Sequence, residues 1–229
     1  MRTIGLLGGM SWESSLEWYR LANEAVRRER GGFHSAPVLL DSLDFAEVEA
    51  MQAAADWDAA GALLADRAQR LEAAGAEVIA LCTNTMHLVA DRIEAAISVP
   101  FVHLVDVTAD AATAVGSSAP GLLGTAFTME QPFYRERLER HGLSVVVPEV
   151  ADRATVHRVI YDELVHGVVT DASRAAYREV IARLVDRGAD SVVLGCTEIE
   201  LLIGQDDSPV PVLPTTALHV EATLRAAGL

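Results

Sequence analysis

The stretch AGAEVIALCTNT (residues 74–85) returns in altered form as RGADSVVLGCTE (187–198). Each copy runs from a glycine through an apolar segment into polar side chains with a cysteine among them. Two further pairs match: IGLLGG (4–9) with PGLLGT (120–125), and VPF (99–101) with VPV (210–212). Because the pairs occur in the same order and at similar spacing, we infer that the chain contains two copies of one structural unit.

The apolar pattern around these stretches is typical of an α/β protein. Amphipathic segments separate short apolar runs, and apolar residues recur at helical spacing within 57–74 (Ala60, Leu64, Ala68, Leu71) and within 172–186 (Tyr177, Val180, Ile181, Leu184). The runs that read as buried strands are 3–8, 36–41, 76–82, 99–104, 120–124, 143–148, 190–196 and 210–213. Alternation of strands and helices predicts mostly parallel sheets.

The repeat refines this fold class into an architecture. We expect an α/β protein with two pseudosymmetric parallel-sheet α/β domains and the active site in the cleft between them. The first domain would comprise residues 1–103 together with 212–229, and the second residues 104–211.

Charge and composition exclude several classes of function. The formal net charge of −15 disfavours binding to nucleic acid or to an anionic membrane. No apolar run reaches the roughly 20 residues that span a bilayer, and the first residues do not resemble a signal peptide, so we expect a cytoplasmic protein. The two cysteines, Cys82 and Cys196, are too few for a disulfide framework, and no ligand pattern predicts a metal site.

The basic residues are also informative, because all 18 are arginine. A chain without lysine cannot hold pyridoxal phosphate as an internal aldimine, and it lacks the lysine of a P-loop. The absence of lysine therefore excludes these two kinds of site, and the expectation of no cofactor rests on the two-base racemisation that the repeated strand ends suit.

Both repeated stretches end a buried strand and begin a helix. At such a corner, backbone N–H groups and the helix dipole favour an anion such as a carboxylate, and they lower the pKa of a thiol. The glycine turns at Gly8-Gly9 and Gly124-Thr125 should lie at the same edge, because ligands gather at the carboxyl ends of parallel strands. We expect an anionic small molecule there, close to a partly ionised cysteine.

The repeat distinguishes the reactive candidates at these corners. Cys82 aligns with Gly195, and Thr83 aligns with Cys196. The side chain of Cys82 should point to the opposite face of its strand, so we predict a packing role for it. Two groups on opposite sides of a carbon suit two-base racemisation, in which one removes the α-proton and the other delivers a proton. We interpret His87 as an ordinary helix residue.

Four stretches resemble the aspartate/glutamate racemases: TIGLLGGMSWES (3–14), CTNTMH (82–87), LLGTAFTMEQPFY (122–134) and LGCTEIELL (194–202). The resemblance spans nearly the whole chain and is nearest to the bacterial branch of broad-specificity amino-acid racemases and L-aspartate/glutamate-specific racemases. It implies an isomerase independent of pyridoxal phosphate, two pseudosymmetric α/β halves, and a homodimer whose small-molecule substrate is aspartate, glutamate or another amino acid.

The resemblance also implies residue roles. One catalytic group is expected in each half, on opposite sides of the substrate Cα, and the G-C-T-E motif assigns one of them to Cys196. The family usually has a cysteine directly before Asn-Thr in the first half, where this chain has Thr83. The implied substrate-binding residues are Gly8, Gly9, Met10, Asn84, Thr85, Thr125, Thr197 and Glu198.

Threonine at the first catalytic position has a chemical consequence. A hydroxyl is a far poorer base than a thiolate, so we expect one enantiomer to be handled well by Cys196 and the other poorly through Thr83. Cys82 is the alternative catalytic candidate. The segment DSLDFAEVEAM (41–51) is acidic and lacks arginine, so a distal substrate carboxylate would need an arginine from elsewhere, such as Arg135 or Arg153.

Two alternative functions stay open from the sequence. One is a related carbanion enzyme of the hydantoin racemase, arylmalonate decarboxylase or maleate isomerase type. The other is an amino-acid-binding protein in which the change to Thr83 removed efficient racemisation.

Overall fold

The computed structural model describes all 229 residues and divides into two compact units. The first unit comprises Met1–Leu104 and His219–Leu229, and the second comprises Val105–Leu218. Each unit has a parallel sheet with helices packed against it, as the sequence predicts. The α/β fold class with two parallel-sheet units is therefore confirmed.

The first unit contains a four-stranded sheet in the order β2-β1-β3-β4. Its strands are β1 (Ile4–Gly8), β2 (Val38–Ser42), β3 (Val78–Leu81) and β4 (Phe101–Val102). Its helices are α1 (Trp12–Arg30), α2 (Phe45–Ala53), α3 (Trp57–Ala73) and α4 (Ala90–Ala96), with a 3₁₀ segment at Thr85–Val89. Helix α5 (Leu104–Ala114) begins at the last residue before the second unit.

The second unit contains a three-stranded sheet in the order β5-β6-β7. Its strands are β5 (Pro120–Gly124), β6 (Ser191–Gly195) and β7 (Val212–Pro214). Its helices are α6 (Ala126–Glu130), α7 (Pro132–Arg140), α8 (Val150–Asp162) and α9 (Asp171–Asp186), with 3₁₀ segments at Leu164–His166, Thr197–Leu201 and Gln205–Asp207. Helix α10 (Thr215–Ala226) starts in this unit, and its residues from His219 onward belong to the first.

The two helices predicted from apolar spacing are confirmed. Helix α3 buries the face formed by Ala60, Leu64, Ala68 and Leu71, and α9 buries the face formed by Tyr177, Val180, Ile181 and Leu184. Every residue of β1, β3, β5 and β6 is buried, which explains why these strands read as continuous apolar runs.

The internal repeat is visible in the strand register of each unit. Leu7 of β1 lies opposite Leu81 of β3, and Leu123 of β5 lies opposite Leu194 of β6. Leu7 and Leu123 are each the fourth residue of their strand. The backbone register thus places Thr83 and Cys196 at equivalent positions, two residues beyond the paired leucines.

The helix ends before β3 and β6 repeat as well. Gly75 and Gly188 have φ angles of 100° and 99°, in the region that favours glycine. Gly75 N–H donates to the Glu72 carbonyl at 2.9 Å, and Gly188 N–H donates to the Val185 carbonyl at 2.9 Å. The repeated glycine therefore has a physical cause, because the chain leaves α3 and α9 through the same left-handed turn.

Two expectations about secondary structure are wrong in detail. The run 143–148 is not a strand: it forms one isolated parallel bridge, Val146 with Gly121. It lies at the sheet edge, its valines are only half-buried, and Pro148 has no N–H to extend the pairing. The helix expected directly after the first repeated stretch begins as the 3₁₀ segment Thr85–Val89 and becomes α-helical only at Ala90.

None of the helices in the structure has both the length and the apolar character needed to cross a bilayer.

Candidate functional site

The predicted site residues of the first unit lie where β1 and β3 end. Gly9 has a φ angle of 86°, and a Cβ there would lie 2.2 Å from the carbonyl oxygen of Leu43. Its N–H donates to the Ser15 hydroxyl at 2.8 Å. Gly8 ends β1, and Met10 is buried in the cluster around α2 and α3. Packing within the protein is therefore sufficient to explain why position 9 is a glycine and why Met10 is buried.

Cys82 and Thr83 follow β3 and have different surroundings. Cys82 is 4% exposed and packs with Trp18 and Ala22 of α1, and its Sγ donates to the Ser14 carbonyl at 3.3 Å. Thr83 is only half-buried. The thiol of Cys82 is thus held among core side chains, while Thr83 is the accessible member of the pair.

His87 anchors this corner, a role that the sequence did not reveal. Its Nδ1 lies 2.7 Å from the Thr83 carbonyl, and the Leu104 N–H donates to its Nε2 at 3.1 Å. Because a carbonyl only accepts and an amide N–H only donates, Nδ1 carries the proton and Nε2 does not. These two bonds require a neutral ring in one tautomer and hold the backbone of Thr83.

Two further histidines pack around that anchor. The His87 ring centroid lies 4.7 Å from that of His103 and 6.1 Å from that of His219. All three rings are buried. Burial lowers the pKa of His219 to about 4, and its Nε2 donates to the Val102 carbonyl at 2.8 Å. No group of three or more His, Cys, Asp or Glu side chains is arranged to hold a metal ion.

Asn84 and Thr85 begin the 3₁₀ segment after Thr83. Asn84 is buried, and its side chain makes no capping hydrogen bond to that segment. Thr85 is half-buried. Asn84 therefore occupies the N-cap position of the segment without capping it through its side chain.

The predicted residues of the second unit surround Cys196 at the end of β6. Its Sγ lies 2.8 Å from Oε2 of Glu198, and the thiol is the donor because the carboxylate only accepts. Cys196 is partly exposed, whereas Glu198 is buried. This contact joins two residues that the sequence singled out for separate reasons.

The expectation that Cys196 is partly ionised is wrong. Burial of the thiol, followed by the charge and hydrogen bond of Glu198, raises the pKa of Cys196 well above its usual range. The segment that follows is a single 3₁₀ stretch, Thr197–Leu201, which brings little helix dipole to oppose these effects. Cys196 therefore rests as a thiol.

Thr215 and Thr216, which were not predicted from the sequence, form further hydrogen bonds at this corner. The Thr216 hydroxyl donates to the Thr197 hydroxyl at 3.1 Å, and the Thr216 N–H donates to the Glu200 carboxylate at 2.8 Å. The Thr215 hydroxyl donates to the Leu194 carbonyl at 2.8 Å. Two consecutive threonines after the strand run at 210–213 were the available signal, because the carboxyl end of β7 lies at the same sheet edge.

Thr125 lies at the carboxyl end of β5 and begins α6. Its side chain accepts a hydrogen bond from the Thr128 N–H at 3.4 Å. The next amide, Ala126 N–H, donates to Nδ1 of His157 at 3.2 Å. Each unit thus collects its predicted residues at one sheet edge: Gly8, Gly9, Met10, Cys82, Thr83, Asn84 and Thr85 in the first, and Thr125, Cys196, Thr197 and Glu198 in the second.

The two arginines considered for a distal carboxylate already have partners in the second unit. Arg135 Nε lies 3.5 Å from a carboxylate oxygen of Glu139. Arg153 binds the Glu130 carboxylate at 3.1 Å and the Pro148 carbonyl at 3.0 Å. Neither arginine is presented alone to a ligand.

Comparison with known proteins gives consistent results. A family model described as Asp/Glu/Hydantoin racemase matches residues 7–223. A candidate Asp/Glu racemase from Yersinia pestis has 50% identity, covers 99% of both chains and superposes with a TM-score of 0.94. An aspartate racemase homologue from Pyrococcus horikoshii OT3 has 32% identity, covers 100% of both chains and has a TM-score of 0.88. The broad-specificity amino-acid racemase RacX of Bacillus subtilis (strain 168) is 23% identical over 176 residues, which are 74% of this chain and 73% of RacX.

Proposed function

Because the chain belongs to the Asp/Glu/Hydantoin racemase family, we propose that it is an amino-acid racemase that moves the Cα proton without a cofactor. Family membership itself supports the coarser statement, an isomerase of the racemase type or a related enzyme that forms a carbanion. The proposal adds the substrate class and the residues. That the protein works in the cytoplasm stays a prediction.

The contact between Cys196 and Glu198 is the observation that carries this proposal. A thiol that donates to a buried carboxylate at 2.8 Å has an internal acceptor for its proton. Transfer to Glu198 would produce the thiolate, which becomes a thiol again when it removes the Cα proton. Release of the proton on Glu198 to water then restores the resting pair of thiol and carboxylate. In the reverse direction the resting thiol is already protonated and can deliver a proton to a carbanion.

Thr83 is proposed for the opposite face of the substrate. The support is its strand register, equivalent to that of Cys196, and its partial exposure. A hydroxyl can donate a proton to a carbanion but is a weak base at neutral pH. The two directions of reaction should therefore differ in rate, as the sequence predicts.

Asn84, Thr85 and Thr197 are proposed to bind the amino and carboxylate groups of the substrate. Asn84 supports this role by its position, because it lies directly after Thr83 beyond the carboxyl end of β3. Thr197 is held by the Thr216 hydroxyl, which fixes the direction of its own hydroxyl. Donors that are oriented before the reaction stabilise the negative charge that develops when the Cα proton leaves.

The proposed substrate range is broad rather than restricted to aspartate and glutamate. The segment that follows β2 is acidic, and Arg135 and Arg153 are engaged with carboxylates of the chain. A side-chain carboxylate on the substrate would find no unshared arginine among these candidates. A neutral amino-acid side chain needs no arginine partner.

The decisive experiment is an exchange screen in D₂O with both enantiomers of many amino acids, followed by chiral analysis. We expect deuterium at Cα, inversion of configuration and no release of CO₂. Absence of exchange with every amino acid, combined with binding, would instead identify an amino-acid-binding protein.

Two variants test the assignment of the thiols. Cys196→Ala should reduce exchange at least about a hundredfold, in line with loss of a general acid–base group. Cys82→Ala is the matched control and should keep most of the activity, because Cys82 packs in the core. Full activity in Cys196→Ala, or inactivity of a folded Cys82→Ala, would reverse the assignment.

A related carbanion enzyme is the second candidate, favoured by the single thiol at the paired positions. A single thiol that rests protonated suits protonation of a planar carbanion on one face, as required after decarboxylation. Release of CO₂ from a malonate-type substrate without Cα exchange in amino acids would support this candidate over racemisation.

A further inference from the structure

Thr216 lies beside Cys196 at the carboxyl edge of the second sheet. Leu194 of β6 is paired in register with Pro214 of β7. Cys196 and Thr216 each lie two residues beyond these paired positions, so they stand at the same level of the edge. Thr216 is buried, and two of its hydrogen bonds go to the segment that follows Cys196. It is therefore placed to hold the residues around the thiol.

Two side chains of one 3₁₀ segment hold Thr216. Thr197 and Glu200 are three residues apart in the segment Thr197–Leu201. Side chains at this spacing eclipse one another in a 3₁₀ helix, so both lie on the same face. The Thr216 hydroxyl donates to the Thr197 hydroxyl at 3.1 Å, and the Thr216 N–H donates to the Glu200 carboxylate at 2.8 Å. Thr216 is thus fixed at two points by one face of the segment.

The bond from Glu200 also fixes the first turn of α10. Thr216 is the second residue of that helix, so its N–H has no partner within the helix. A carboxylate at this position is favoured by the helix dipole as well as by the hydrogen bond. The Thr215 hydroxyl ties the same turn to β6 through the Leu194 carbonyl at 2.8 Å. Glu200 therefore determines where the Thr216 hydroxyl lies relative to Thr197.

The direction of the Thr197 proton follows from this arrangement. A hydroxyl has one proton to donate and two lone pairs that accept. Because Thr197 accepts from Thr216, its own proton points away from Thr216 and is available to an anionic oxygen. Thr197 is only half-buried. A donor that is oriented before the reaction stabilises negative charge without a cost of reorganisation.

We propose that Glu200 is a positioning residue, which acts through Thr216 to direct the hydroxyl of Thr197 at the substrate. This inference rests on the proposed function, in which Thr197 helps to bind the amino and carboxylate groups. The role differs from that of Glu198, whose carboxylate accepts from the Cys196 thiol. Loss of the Glu200 contact should therefore slow the reaction while the reacting thiol keeps its partner.

Substitutions of Glu200 separate an effect of position from an effect of charge. In Glu200→Ala, kcat for exchange at Cα should fall about tenfold while KM changes by less than about threefold, because the oriented donor acts mainly on charge that develops in the transition state. Glu200→Gln keeps an oxygen acceptor for the Thr216 N–H and should retain kcat within about threefold of the wild type. Glu179→Ala, at an exposed glutamate of α9, is the matched control and should leave kcat unchanged.

The decisive measurement uses a background that lacks the Thr197 hydroxyl. In Thr197→Val, the addition of Glu200→Ala or Thr216→Val should change kcat by less than about twofold, since both act through that hydroxyl. In the wild-type background, Thr216→Val should lower kcat about tenfold, whereas Thr216→Ser keeps the hydroxyl and should retain most of the activity. Far-UV circular dichroism confirms that each variant is folded. If Glu200→Ala does not fold, Thr216→Val carries the same test.

Three outcomes would overturn this proposal alone. Equal losses in Glu200→Gln and Glu200→Ala would indicate that the charge matters and the position of Thr216 does not. Losses that multiply in the Thr197→Val background would indicate that Glu200 acts independently of Thr197. Full activity in Glu200→Ala, with exchange abolished in Cys196→Ala, would leave the proposed function intact. Absence of exchange in the wild-type protein would instead overturn the proposed function, and this proposal with it.

Discussion

At the scale of single residues, the two thiols of the chain illustrate how surroundings assign roles. Cys82 donates to a backbone carbonyl within the core, and Cys196 donates to a buried carboxylate at a sheet edge. The sequence places both at similar corners. The Glu198 carboxylate can accept the proton of Cys196, which is why we propose proton transfer for that thiol.

Glu198→Gln should lower the pKa of the Cys196 thiol, because it removes the nearby negative charge that adds to the effect of burial. The measurement is the pH dependence of alkylation by iodoacetamide in a Cys82→Ala background, where Cys196 is the single thiol. Exchange at Cα should fall in the same variant, since the proton acceptor is lost. An unchanged alkylation profile would contradict the role of Glu198.

His87→Phe should reduce the exchange rate at least about tenfold and destabilise the fold by about 1–3 kcal/mol, because it leaves the Thr83 carbonyl and the Leu104 N–H without this partner. His87→Asn is the comparison variant, since its amide can still donate to Thr83. The loss should be larger for the enantiomer whose Cα proton Thr83 removes, because a hydroxyl is the weaker base. Equal loss in both directions would indicate a structural role alone.

At the scale of elements, the glycines after α3 and α9 explain why two such different sequences enter their strands in the same way. At both places the chain reverses direction through a glycine in the left-handed region. The strand that follows is then started in the same register with respect to β1 or β5. The positions of Thr83 and Cys196 relative to their sheets therefore depend on this shared turn.

Gly75→Ala and Gly188→Ala should each destabilise the protein by about 1–2 kcal/mol, because φ near 100° is strained for a residue with a Cβ. Urea unfolding measures the free energy. Gly204→Ala is the control, since its φ is −125° and a Cβ there meets open space. A loss confined to one of the two repeated glycines would argue against equivalent turns.

At the scale of the whole molecule, buried His219 couples stability to pH. Its Nδ1 is buried with no hydrogen-bond partner, so a proton added there gains no acceptor. The pKa is about 4 in the folded state against 6.5 for the ordinary side chain. Between these values the unfolded chain binds the proton and the folded chain does not, so stability falls as pH decreases through that range.

The loss between pH 6.5 and pH 4 should reach about 3 kcal/mol in the wild-type protein from this residue. His219→Gln keeps a donor for the Val102 carbonyl and should flatten the stability profile in that window. His34→Gln, at an exposed histidine, should leave the profile unchanged. A profile of His219→Gln that matches the wild type would contradict the role of His219.

The sequence by itself determined the fold class, the repeat and the pairing of Thr83 with Cys196. These follow from local periodicity and from matches between two stretches of one chain, both of which are visible without coordinates. The strand predicted at 143–148 was wrong, and the 3₁₀ start at Thr85 was not predicted, because both depend on neighbours at the sheet edge, which periodicity does not report.

Only the tertiary structure decided the chemistry of the corners. It revealed that Cys196 rests as a thiol against Glu198, that His87 is a fixed anchor, and that Thr216 orients Thr197. The reason is that a pKa and a tautomer depend on burial and on partners from other parts of the fold. The sequence identifies the polar side chains, whereas packing determines the protonation state and the hydrogen-bond orientation of each one.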